Sequence, residues 1–204
     1  MSSFTYNSTN ITHLEVILSS DRFETYILLA GGSKRKALKL YKRNILLSHR
    51  FYTIIHILEV CLRNKIDECL SKRYGLKWFE NSKLELSLVQ KKQLAELPKS
   101  EKRGKVIASL PFGFWSSFFG RPFENLWRET IRFILNEEIP IRRSNVAAYL
   151  KNIRALRNRI AHHECILKMD AHRLETSSLE LLSLLSPITT EWLKLELLNS
   201  SISL

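Results

Sequence analysis

This chain has little of what holds a secreted or metal-stapled fold together. Cysteine occurs three times, as Cys61, Cys69 and Cys165. An odd number without metal-ligand spacing argues against a disulfide framework or a zinc site and points to reduced thiols in a cytosolic helical protein. Acidic residues are scarce, 20 against 32 lysines and arginines, and the resulting net charge of +12 favours a polyanionic partner. Nucleic acid is a simpler partner than an anionic membrane. No run approaches the roughly 20 apolar residues that span a bilayer. The N-terminal Met-Ser-Ser-Phe-Thr-Tyr-Asn also lacks the basic-then-apolar order of a signal peptide. A cytoplasmic location without membrane contact is the expectation.

Alternating strand patterns, Asn-Gly hairpin turns, internal repeats and low-complexity linkers are missing too, so the fold is predicted to be all-α. With 204 residues, 45% of them hydrophobic, the chain can bury a core as one domain over 1–204, or at most two small ones. Residues 1–10 read as a flexible polar start.

The periodicity places a short apolar helix around His13 to Leu18. A second helix comes next, capped by Ser20 or Asp21 and ended by Gly31-Gly32. From Lys34 to Tyr74 there is no proline or glycine, and Ile54, Leu58, Leu62, Ile66 and Leu70 recur at four-residue spacing, which predicts one long helix or two nearly collinear ones. Gly75 ends it. Residues 76–84 read as a loop anchored by Trp78 and Phe79. Short helices are then predicted over Leu86 to Leu97 and Glu101 to Ser109, separated by Pro98. An aromatic stretch opens at Pro111, Gly120-Arg121-Pro122 breaks it, and helix resumes from Glu124 to Leu135. After Pro140, Ser144 is a candidate cap for a helix running to about His163. Helices over Ala171 to Leu185 and Pro187 to Leu198 complete the chain.

The segment Arg157-Asn158-Arg159-Ile160-Ala161-His162-His163-Glu164 brings an arginine, an amide and an imidazole close together. Arginine keeps its charge and grips phosphate through a planar fork, histidine moves protons near neutral pH, and asparagine can hold either in place. On a helical wheel Val146, Tyr149, Ile153 and Leu156 fall within roughly 40° of Ile160 and form the core stripe. Asn158 and His162, four apart, point away from it. Arg157 lies on the flank, about 140° from His162, so the two meet on one phosphate only if arginine bends round, the helix loosens, or a second subunit completes the site. Spacing alone also fits a solvated outer face whose histidines sit at a helix C-terminus. A histidine metal site is disfavoured, because His162 and His163 are adjacent and point apart and no His-Glu-x-x-His pattern is present.

The string Leu156 to Glu164 resembles the signature of the Abi-like family of bacterial phage-defence proteins, within the HEPN superfamily of helical ribonucleases. Leu18-Ser19 with Arg22 and Tyr26, Ala37-Leu38 with Leu40-Tyr41 and Asn44, and Glu59-Val60 with Leu62-Arg63-Asn64 resemble the family's N-terminal patterns in the same order. Leu110-Pro111-Phe112-Gly113-Phe114-Trp115 resembles its central aromatic motif, and Trp127 its following tryptophan. The match runs from about Leu18 to Trp192. Lys42-Arg43 stands before Asn44 where the family often has an aromatic, and Pro111 replaces a usual small polar residue.

The resemblance implies a HEPN-like helical bundle with additional short helices in the middle of the chain. It also implies metal-independent, cofactor-free RNA cleavage, with Arg157, Asn158 and His162 as the catalytic set. The 2′-hydroxyl would attack the adjacent phosphorus to leave a 2′,3′-cyclic phosphate. His162 would move protons while Arg157 stabilises charge on the phosphoryl oxygens. A homodimer with its motif helices facing each other, abortive infection as the setting, and host, phage or regulatory small RNA as partner are implied by the family as well. A catalytically silent module that holds a structured small RNA is the alternative, and a protein-binding adaptor a third possibility.

Arg63 and Asn64, with Glu59, are candidates to support RNA binding, as are Arg154, Arg159 and His163. Glu59 and Arg63 equally suit an intrahelical ion pair. Phe112, Phe114, Trp115, Phe118 and Phe119 read as a core plug rather than a base-stacking surface. The clusters Lys34-Arg35-Lys36, Lys42-Arg43, Lys91-Lys92, Lys102-Arg103 and Arg142-Arg143 are individually ordinary solvated faces. Their sum suits phosphate contacts.

Overall fold

The computed structural model describes residues 4–98, 102–136 and 139–198, and among them the fold is all-α, without strands. The helices in chain order are α1 (Ser8–Ile17), α2 (Ser20–Leu29), α3 (Lys34–Tyr74), α4 (Leu88–Ala95), α5 (Arg103–Ser109), α6 (Phe112–Ser117), α7 (Glu124–Glu129), α8 (Arg143–Ala161), α9 (Ala171–Leu185) and α10 (Pro187–Trp192). Single 3₁₀ turns occur at Trp78–Glu80, Arg121–Phe123 and Ile131–Ile134, and a π-helical turn at Leu193–Leu198 continues α10. The chain forms two compact units, Met1–Tyr52 with Leu156–Ala171, and Thr53–Ala155 with His172–Leu204.

In the first unit the Asn7 side chain caps α1 by accepting the Asn10 N–H at 2.8 Å. The helix therefore starts at Ser8, ahead of the apolar run that marks it in the sequence. Ser19, at φ 70 and without a side-chain cap bond, precedes α2, so Ser20 and Asp21 lie in its first turn instead of capping it. Gly31 and Gly32 close α2 as predicted. At φ 61 and 84 they let the Gly32 N–H reach the Ile27 carbonyl at 3.0 Å and the Gly31 N–H reach Leu28 at 3.2 Å, a wrap that glycine makes without steric cost. Phe23, Tyr26, Ala37 and Leu38 form the centre of this unit's core, with Leu14, Leu18, Tyr41, Cys165 and Leu167 packed against them.

α3 is one continuous helix with the predicted bounds. By length and composition alone this helix is long and apolar enough to cross a membrane, with one 18-residue window reaching a mean hydropathy of 1.4. Polar residues interspersed through the helix hide that window from a search for unbroken apolar runs. Ile54, Leu58, Leu62, Ile66 and Leu70 are fully buried at four-residue spacing, the pattern of a helix facing a protein core.

In the second unit the Trp78 indole donates to Asp67 Oδ1 at 2.8 Å and its ring packs edge-on against Trp115 and Phe118. Phe112, Phe114, Trp115, Phe118 and Phe119 are all buried, so the aromatic stretch is a core plug. Ser87 and Gln90 cap α4 reciprocally and start it two residues later than predicted from Leu86. α5 begins at Arg103, and Glu101, where it was expected to begin, lies outside the described residues. The helix predicted from Glu124 to Leu135 breaks at Thr130, which adopts φ −144. Arg73 donates to Thr130 Oγ1 at 2.7 Å and the Cys69 thiol to its carbonyl at 3.2 Å, contacts from α3 that hold this residue out of helical geometry.

α8 starts at Arg143, so Ser144 lies in its first turn and does not cap it. Arg143 bonds Glu124 and the Phe119 carbonyl, both at 2.5 Å, and holds the Glu124 carboxyl below the usual glutamate range. A lowered folded-state value means that this pair stabilises the protein above the ordinary glutamate range and is lost as pH falls through the folded value. Glu124→Gln should therefore flatten the early part of the acid-unfolding curve. An unchanged curve in acid titration followed by circular dichroism would refute that role.

Candidate functional site

The first unit carries the end of α8, and with it Arg157, Asn158 and His162, all three exposed. α8 ends at Ala161 rather than near His163. The His162 N–H closes the last turn on the Asn158 carbonyl at 3.0 Å. His163 then adopts φ 57, its N–H reaching the Ile160 carbonyl at 3.0 Å while the Glu164 N–H reaches Arg159 at 2.9 Å. These two bonds define a wrap-around terminus that normally places glycine in the left-handed position. A β-carbon there costs roughly 1 kcal/mol. The two histidines thus sit on a tight turn, and the helical angle between them predicted from sequence does not apply. The Arg159–Glu164 ion pair spans the same turn at 3.5 Å with both side chains half-exposed, a geometry worth at most about 1 kcal/mol.

Asn44 of α3 pins the chain just beyond this turn. Its Oδ1 accepts the Ile166 N–H at 2.8 Å and its Nδ2 donates to the Glu164 carbonyl at 3.3 Å, while the residue is only 6% exposed. Both ends of one buried amide are therefore spent on the backbone beside the histidines. Cys165 and Leu167, on either side of Ile166, pack into the core around Phe23 and Tyr26.

A cleft of about 790 Å³ opens here, lined by Arg22 and Tyr26 of α2, Arg159, His162, His163 and Lys168, with Asp21 and Glu164 among its walls. Burial, then Cys165, then Tyr41 push the Tyr26 phenol well above its ordinary range, so it stays a neutral donor. A second, more apolar hollow of about 460 Å³ lies between α3 and the end of α8, walled by Tyr41, Asn44, His49, Tyr52 and His163 among others. Among the walls of both cavities His163 is the shared histidine.

Arg157 and Asn158 line neither cavity. The Asn158 side chain makes no hydrogen bond to Arg157 or His162 among the described residues, and its contribution to the turn is its carbonyl. Cations that the choice of Arg157 missed, Arg22 and Lys168, share the cleft with His162 instead. Arg22 stands one helical turn before Tyr26 in the sequence, on the same face; Lys168 has no comparable signal.

The remaining candidates belong to the second unit. Arg154 runs along α6, its Nη1 3.6 Å from where a β-carbon on Gly113 would lie. Asn64 is exposed, Glu59 and Arg63 are half-buried, and among the described residues no ion pair joins Glu59 to Arg63. Arg63 Nε is buried with no hydrogen-bond partner. Some of the basic residues are structural, since Arg103 bonds Asp67 at 2.5 Å, Arg143 bonds Glu124, and Lys34 bonds Glu15 at 2.6 Å. Among the described residues no group of three or more His, Cys, Asp or Glu is placed to hold a metal ion.

Compared with protein-family models, curated proteins and solved structures, the chain matches none.

Proposed function

We propose that this chain is a metal-independent, cytoplasmic endoribonuclease of the Abi-like, HEPN type, acting in phage defence through 2′-hydroxyl attack and a 2′,3′-cyclic phosphate product. The observation that carries the reading is the cleft in which His162 stands with Arg22, Arg159 and Lys168. An imidazole beside three cations suits an RNA phosphodiester, with the cations neutralising phosphate and the imidazole moving protons. Arg157, exposed and outside that cleft, suits a role toward a second subunit, so the working form is a homodimer in which Arg157 of one chain serves the His162 cleft of the other.

Total RNA incubated with the protein in chelator should yield fragments with cyclic phosphate and 5′-hydroxyl ends. Intact RNA would favour the second reading, a silent module that holds a structured small RNA, which the position of Arg157 outside the cleft also supports. Under either reading RNA affinity should fall with salt, by about 0.7 in logarithmic slope for each phosphate contact on a single strand. Arg22→Gln with Lys168→Gln should reduce that slope, as read by fluorescence anisotropy across a salt series. An unchanged slope would remove both residues from the RNA surface.

A further inference from the structure

His163 occupies a backbone position that this chain elsewhere gives to a smaller residue. Among the described residues α2 leaves through Gly31 and α3 through Gly75, both left-handed, whereas α8 places an imidazole there at φ 57. Positions of this kind persist where the surrounding structure holds them, here with Asn44 pinning the chain just beyond, and they cluster at functional sites. The turn also directs His163 to the wall of the cleft that holds His162. Resting on the ribonuclease reading above, we infer that His163 is a second catalytic residue, the proton-transfer partner of His162, so that each chain carries an acid–base pair of its own.

The chemistry calls for two groups. As O2′ attacks phosphorus, its proton must leave to a base. The P–O5′ bond breaks on the opposite side of the phosphorus, and the departing oxygen must gain a proton from an acid. One imidazole cannot stand on both sides of an in-line displacement, whereas two on one turn can flank it. One imidazole ends the step protonated and the other neutral, the products are a 2′,3′-cyclic phosphate and a 5′-hydroxyl, and exchange with water resets the pair. The groups facing the pair are Arg22 and Asp21 from α2, Arg159 from α8, and Glu164 and Lys168 from the loop, three cations against two carboxylates. Tyr26 and Cys165 also line the cleft, and on the side of the second hollow α3 contributes Tyr41, His49 and Tyr52.

The left-handed geometry makes the test clean, because glycine is the residue that position prefers and asparagine tolerates it. His163→Gly and His163→Asn should therefore fold at least as well as wild type. Both should lose about 100-fold or more in cleavage of an RNA oligonucleotide. They should also convert a bell-shaped pH–rate profile into one with a single limb. RNA with a 5′-bridging sulfur, whose thiolate departs without an acid, should rescue variants at one histidine and not the other. Wild-type rates in His163→Gly beside an inactive His162→Ala would overturn the inference and leave the ribonuclease reading standing. A loss that keeps both limbs of the profile would assign His163 a structural role and overturn it equally. A wild-type protein that cleaves nothing would overturn the ribonuclease reading itself, and the inference with it.

Discussion

Replacing His162 by alanine is expected to lower RNA cleavage by about 10²- to 10⁴-fold, the usual worth of a positioned proton-transfer group. The melting temperature should not move. The side chain is exposed, and the bond that closes the helix there uses the His162 backbone N–H, which alanine retains. A variant that cleaves at the wild-type rate removes His162 from the reaction. The same variant tests where Arg157 acts. In a dimer whose cleft takes Arg157 from the other chain, mixing Arg157→Ala with His162→Ala puts both lesions into one site of each heterodimer and leaves the second site intact. Random pairing makes half the dimers heterodimers, so about a quarter of wild-type activity should return from two inactive proteins. If Arg157 serves its own chain, no site in the mixture is intact and no activity returns. Activity of the mixture measured after subunit exchange therefore separates the two arrangements.

Local chemistry that repeats was legible in the sequence. α3 and α9 have the bounds that their apolar spacing predicts, because each is long enough for one stripe to dominate. Gly31 and Gly75 end their helices at the positions where glycine stands. Failures came where a distant group overrides the local signal. Thr130 leaves helix because α3 side chains hold its hydroxyl and carbonyl, contacts that join residues about 60 positions apart. His163 ends α8 in a conformation that its residue type does not advertise, so the helix stops at Ala161 and the two imidazoles do not stand at the angle that helical spacing predicts. At the site, the wheel correctly turned Asn158 and His162 outward. It could not find Arg22 or Lys168, since a wheel compares residues within one helix and the cleft is walled by α2, the end of α8 and the loop beyond it.

Asn44 shows the same limit and carries the second large effect. Asn44→Ala removes the partner of the Ile166 N–H, which is buried, and of the Glu164 carbonyl. Leaving such groups unsatisfied costs about 1 to 3 kcal/mol, which in a protein of this size lowers the melting temperature by roughly 3 to 10 °C. Asn44→Asp separates the two bonds: it keeps an acceptor for Ile166 but sets a carboxylate against the Glu164 carbonyl, so it should destabilise as well. Asn44 is not itself a wall of the His162 cleft, yet both variants free the chain at Glu164, just after His163. Cleavage should therefore fall in kcat more than in KM, because the imidazoles lose their fixed position while Arg22 and Lys168 still face phosphate. Hydrogen exchange gives the decisive reading. The Ile166 amide should lose protection in Asn44→Ala while amides in the middle of α3 keep theirs, and an Ile166 amide that stays protected would show that something other than Asn44 holds the turn in place.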